Sequence, residues 1–104
     1  MMKPANPIRG EAELIVGGKT LVIRPTFEAL IASEKELGSL FSLVEHASDG
    51  ALTLTEIAAL LWHCTPAKDK PSRDEVGEAV LASGLIAATK PVRIILTQVL
   101  QGQP

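Results

Sequence analysis

Hydrophobic and polar residues alternate along two short stretches near the start of the chain, and two glycines separate the stretches. Ala12, Leu14 and Val16 take every second position in residues 11–16, and Leu21 and Ile23 do so in residues 19–24, where they alternate with Thr20, Val22 and Arg24. A period of two is typical of a strand with one buried face. Gly17 and Gly18 suit the positive φ angles of a tight primed turn. This pattern predicts a β-hairpin.

After the hairpin, the spacing of apolar residues changes to that of helices. Thr26 follows Pro25 as a potential N-cap, and Gly38 ends the first predicted helix. The predicted apolar face of this helix consists of Phe27, Leu30, Ile31 and Leu37. A second, shorter helix is predicted over residues 39–47.

Two capping boxes mark the starts of two further helices. The paired residues are Thr53 with Glu56 and Ser72 with Glu75. The helices that they open are predicted to end near Cys64 and at Gly84. Residues 85–89 predict one more turn, and Pro91 suits the first turn of a final helix. The apolar stripe of that final helix is Val92, Ile95, Leu96 and Val99.

These elements predict an α+β fold in which an N-terminal β-hairpin packs on a bundle of about four to five short helices. We expect residues 1–10 to form a flexible arm, residues 11–101 a single domain, and residues 102–104 a frayed end. The chain has 104 residues and only three aromatic side chains, so Leu, Ile, Val and Ala must build the core. A thin core of this kind gains stability from a partner or from self-association.

The charge and the single cysteine narrow the function classes. The net charge of −2 provides no basic field for a phosphate backbone. Cys64 cannot form an internal disulfide, which favours a reducing compartment. No apolar stretch approaches the roughly 20 residues that cross a bilayer. We therefore expect a cytoplasmic protein that binds neither nucleic acid nor membrane.

No constellation for catalysis, cofactor binding or metal binding is present in the pattern. His46, His63 and Cys64 match no ligand spacing. Neighbouring residues on a helix do not face each other, so His63 is not placed to activate Cys64. We expect a surface His63 and a core Cys64, and we expect no enzymatic activity.

A helix-turn-helix regulator is the alternative from another function class. Residues 76–100 predict two helices around a glycine-containing turn, with Arg93 near the start of the second. Lys68, Lys70 and Arg73 add a small basic cluster. The few cations on the final helix argue against this alternative.

Glu34 interrupts the predicted apolar face of the first helix. Either its carboxylate is exposed to solvent because the last turn of the helix emerges from the core, or it is partly buried and pairs with Arg9, Arg24 or Arg93. The first interpretation is favoured, since buried carboxylates are rare unless they are paired.

Several segments resemble one family along nearly the whole chain. They are residues 5–11 (ANPIRGE), 21–30 (LVIRPTFEAL), 34–38 (EKELG), 54–58 (LTEIA), 75–78 (EVGE) and 84–85 (GL). The chain resembles the small gene transfer agent proteins of the phage tail assembly chaperone group, found among phage-like tail genes of alphaproteobacteria. Some members of this group are labelled tail tube proteins.

The resemblance implies a role in building a phage-like tail. Such chaperones bind the long tape-measure protein and keep it soluble while tube subunits polymerise around it. The expected partner is therefore the tape-measure or tail tube protein. The resemblance carries over no catalytic residues.

Two surfaces are candidates for contact with that partner. A hairpin of two strands leaves at least one edge unpaired, which makes Val22 a candidate contact. Ile94 lies off the core stripe of the final helix and is the second candidate. We expect the free protein to be a monomer or a weak homo-oligomer.

Overall fold

The computed structural model describes residues 11–102, and the predicted arm at residues 1–10 lies outside this range. The fold is an N-terminal hairpin followed by five α-helices, as the sequence predicts. The elements are β1 (Ala12–Val16), β2 (Lys19–Ile23), α1 (Phe27–Leu37), α2 (Leu40–Ser48), α3 (Leu54–His63), α4 (Arg73–Ser83) and α5 (Leu85–Gln101). A 3₁₀ turn at Ala67–Asp69 lies in the loop between α3 and α4.

The hairpin is antiparallel, with Leu14 opposite Leu21 and Val16 opposite Lys19. Gly17 and Gly18 have φ angles of 58° and 79°, which confirms the primed turn. The alternation is also confirmed, because one face of the hairpin is buried against the helices. The residues on that face are Ala12, Leu14, Val16, Leu21 and Ile23.

α3 is the central helix, in contact with α1, α4 and α5. Its buried residues are Ile57, Ala59, Leu60 and Leu61, whereas Leu54 in its first turn is 38% exposed. Both predicted capping boxes are present, at Thr53 and at Ser72. The inward face of α4 consists of Val76, Ala79 and Val80, which are buried.

The predicted apolar face of α1 is wrong in part. The helix buries Ala29 and Ser33, while Phe27 is 79% exposed and Ile31 is 37% exposed. Small residues at positions i and i+4 allow α1 to approach α3 closely, and this contact decides which face turns inward. The hydroxyl of Ser33 is satisfied because it donates to the carbonyl of Ala29 at 2.8 Å.

The predicted break before Pro91 is also wrong, because α5 runs without interruption from Leu85 to Gln101. A proline inside a helix removes one hydrogen bond to the carbonyl four residues earlier, here that of Ala87. Ala87 lies on the exposed side of α5, where water can satisfy the carbonyl. Pro91 itself is buried, together with Ala88 and Val92, so packing offsets the lost bond.

Candidate interaction surface

The outer edge of β2 presents main-chain groups at Val22. In a hairpin with a two-residue turn, the pair that flanks the turn exchanges both hydrogen bonds, and the pairs then alternate. Val22, opposite Glu13, occupies a non-hydrogen-bonded pair, so its N–H and C=O point away from β1. Within residues 11–102 the sheet has two strands. At the end of this edge, the N–H of Arg24 donates to the carbonyl of Cys64 at 2.8 Å.

The two candidate contact residues from the sequence lie on separate elements, Val22 on β2 and Ile94 on α5. The side chains of both are half-buried. The most exposed apolar side chains lie elsewhere, among them Ile86 at 90% and Phe41 at 71%.

A groove runs along α5 beside the end of α2, and we call it the α2–α5 groove. It consists of two adjoining cavities of about 320 and 280 Å³ that share Ala47 and Arg93. Its apolar lining includes Val44, Leu52, Leu85, Ile86, Leu96 and Leu100. Sequence reasoning missed this groove, because its walls come from segments about 40 residues apart.

Arg93 lies at the junction of the two cavities. Its side chain is exposed and forms no salt bridge with any carboxylate that the structure describes. An apolar groove with an unpaired guanidinium at its centre suits a ligand that brings apolar side chains and a carboxylate together.

A second exposed feature lies on α1 and consists of Phe27, Ile31 and Glu34, which we call the α1 stripe. The three residues are spaced at i, i+4 and i+7, so they share one face of the helix. Glu34 is exposed, as the favoured interpretation held, and its carboxylate accepts from the N–H of Leu40 at 3.0 Å. Arg9, one of the three partners that the other interpretation offered, lies outside the described residues.

A cluster of charged residues joins three helices around Glu36. Arg73 Nη1 donates to Glu36 Oε2 at 2.6 Å, and Arg73 Nη2 donates to Oε1. His63 Nε2 lies 2.8 Å from Oε1, so His63 is a half-buried hydrogen-bond partner of the Glu36–Arg73 ion pair rather than the plain surface residue that the sequence indicated. The hydrogen bonds from Arg73, and after them His63, lower the pKa of Glu36 to about 2.

This lowered pKa predicts a pH dependence of stability. The folded state favours ionised Glu36. Its contribution to the free energy of unfolding is therefore fully present when the pH is above the ordinary carboxyl pKa of 4.5, and it is lost as the pH falls towards the folded-state pKa of about 2. Because the pair is exposed to solvent, we expect about 1 kcal/mol. Wild type and Glu36→Gln should differ by this amount in urea unfolding at neutral pH and converge in strong acid, with the exposed Glu78→Gln as control. A difference that does not change with pH would contradict the prediction.

Cys64 has the environment of a core residue. It is 2% exposed, and burial raises the pKa of its thiol to about 12. A thiol with so little thiolate is a poor nucleophile and a poor metal ligand at neutral pH. Within the described residues, no three His, Cys, Asp or Glu side chains are placed to hold a metal ion.

Comparison with known proteins identifies the family. The family model described as "phage tail tube protein, GTA-gp10" matches residues 9–102. The chain belongs to this family. No curated protein and no solved structure matches it. Membership in the GTA-gp10 family confirms the resemblance at the level of a gene transfer agent tail protein, and the family description names a tail component rather than an enzyme.

The fold of this GTA-gp10 family member gives no support to DNA binding. α4 and α5 are bent by 115° at their junction, so the outline of two helices and a turn is present. Arg93, however, lies in the middle of α5 rather than at its start, where a recognition helix meets the bases. Two of the three residues of the predicted basic cluster are also engaged within the chain, since Lys70 and Arg73 both lie over the Trp62 ring.

Within residues 11–102, no individual helix has both the length and the apolar character needed to cross a membrane. Taken together, the bent pair α4 and α5 passes the same test of length and composition.

Proposed function

We propose that this chain acts without catalysis in the cytoplasm, as a tail assembly chaperone or a minor tail component that binds the tape-measure or tail tube protein. The observation that carries the proposal is the family match, which covers nearly the whole chain. The surfaces of the domain support it, because main-chain groups at the β2 edge and apolar side chains along α5 are available to a partner.

The β2 edge suits strand addition. Main-chain groups at Val22 that point away from β1 can pair with an extended segment of another protein. This mode depends little on the partner's side chains, which suits a protein that must hold a long chain at many points. Ile94 on α5 is the second proposed contact, through apolar packing.

Co-expression with the tape-measure protein of the same tail gene cluster tests the proposal. We expect this chain to keep the tape-measure protein soluble and to be captured with it. Mass spectrometry of purified particles then separates the two roles, because a chaperone is absent from finished tails and a minor component remains. A tape-measure protein that is equally insoluble with and without this chain, in the absence of any capture, would contradict the chaperone role.

Two variants test the proposed contacts. Val22→Pro removes an outward N–H without removing a bond to β1, and Ile94→Asp places a charge on α5. Circular dichroism must first show that each variant folds. We expect both to lower capture, whereas Leu81→Asp, on the exposed side of α4, should capture normally. Normal capture by both folded variants would show that the contacts lie elsewhere.

A further inference from the structure

We infer that copies of this chain associate head to tail, with the α1 stripe of one copy seated in the α2–α5 groove of the next. The inference goes beyond the proposed function, because it concerns contacts between identical chains and holds for either tail partner. Both halves of the contact are visible on one copy: an apolar groove whose Arg93 forms no salt bridge within residues 11–102, and an apolar stripe that ends in Glu34.

The spacing of the two surfaces matches. On α5, Ile86 and Arg93 are seven residues apart and share one face; on α1, Phe27 and Glu34 are also seven residues apart. At a rise of 1.5 Å per residue, each pair spans about 10.5 Å. With the two helices side by side and parallel, Phe27 meets the cavity at Ile86 while the Glu34 carboxylate meets the Arg93 guanidinium.

Neither surface has to rearrange to make this contact. The opposite face of α1 is held against α3 by Ala29 and Ser33, and the core stripe of α5 is buried. The carboxylate of Glu34 accepts from the N–H of Leu40 through Oε2, and an ionised carboxylate has further lone pairs for a guanidinium. Phe27, at 79% exposed, and Ile86, at 90% exposed, lose the most contact with water.

The contact joins two different surfaces, so it is heterologous. A copy that inserts its α1 stripe still offers an empty groove, and the assembly therefore grows or closes into a ring. Because the patch is small, we expect weak association that depends on protein concentration.

Two substitutions remove one half of the contact each. Phe27→Asp removes the most exposed apolar side chain of the α1 stripe, and Ile86→Asp removes an apolar wall of the groove. Both positions lie in the first turn of a helix, where an acidic residue is favourable, so both variants should fold. Phe41→Asp is the matched control, since Phe41 is exposed and lies in the first turn of α2 outside both surfaces.

Sedimentation velocity over a range of concentrations measures the result. We expect wild type and Phe41→Asp to form larger species as concentration rises, and the other two variants to remain monomers. An equal mixture of Phe27→Asp and Ile86→Asp should form dimers that grow no further, because each variant supplies the half that the other lacks.

Three results would overturn the inference: a wild type that stays monomeric to millimolar concentration, a Phe41→Asp variant that loses association equally, or a mixture that does not dimerise. A monomeric wild type that still captures the tape-measure protein would reject this contact and leave the proposed function intact.

Discussion

Replacing Gly17 and Gly18 together with valine is expected to destabilise the chain by about 2–4 kcal/mol. Both residues have positive φ, at 58° and 79°, a region that β-branched side chains resist. A Cβ at either position would meet no atom within 4 Å, so the loss comes from the backbone and not from a clash. Urea unfolding followed by circular dichroism measures it.

The matched control for the turn is Gly17→Asn. Asn-Gly is a preferred pair in this type of turn, so this variant should stay within about 0.5 kcal/mol of wild type. A double-valine variant as stable as wild type would mean that the hairpin does not depend on the primed turn. The result bears on function as well, because the hairpin carries the edge that we propose for partner contact.

The elements that the sequence predicted well are those decided by neighbouring residues. A glycine pair between two alternating runs, and the caps at Thr26, Thr53 and Ser72, act within a few residues of chain. Turn geometry and capping hydrogen bonds need no information about the rest of the fold. The fold class and the helix starts before α5 could therefore be predicted from the pattern alone.

The inward face of α1 could not be predicted from neighbouring residues in the same way. Hydrophobicity placed Phe27 and Ile31 in the core, but the close approach of α1 to α3 favours the smaller Ala29 and Ser33. The choice depends on a helix that begins more than 20 residues later. As a result, side chains predicted as core form the α1 stripe, which carries our inference of self-association.

The continuity of α5 and the α2–α5 groove have a common origin in tertiary packing. Local rules for proline favour a helix start at Pro91, yet burial of Pro91 between Ala88 and Val92 outweighs the lost hydrogen bond. One long helix then carries Ile86 and Arg93 on the same face. A break before Pro91 would have separated these two residues and removed the groove.

The basic residues at the start of α4 and in the loop before it have a structural role that the sequence did not indicate. In the sequence, Lys68, Lys70 and Arg73 formed a small basic cluster that was consistent with DNA binding. In the fold, the Lys70 ammonium lies 3.9 Å from the centre of the Trp62 ring, and the Arg73 guanidinium carbon lies 4.5 Å from it. Lys70 and Arg73 therefore hold the loop before α4 against Trp62 of α3.

Trp62→Ala is accordingly expected to cost about 2–4 kcal/mol of unfolding free energy, somewhat less than for a fully buried tryptophan. The substitution removes the half-buried ring that packs against the core and supports both cations. It also removes the indole N–H, which donates to the carbonyl of Pro71 at 2.9 Å. Urea unfolding followed by circular dichroism is the appropriate measurement, because Trp62 is the single tryptophan and the variant has no indole fluorescence.

Trp62→Phe separates the two contributions of the side chain. Phenylalanine keeps a ring face for Lys70 and Arg73 but has no N–H for the carbonyl of Pro71, so we expect a loss of about 1 kcal/mol. If Trp62→Ala unfolded within about 0.5 kcal/mol of wild type, as a neutral surface change does, the loop would not depend on this ring. If Trp62→Phe were as damaging as Trp62→Ala, the hydrogen bond to Pro71 would outweigh the ring in holding the loop on α3.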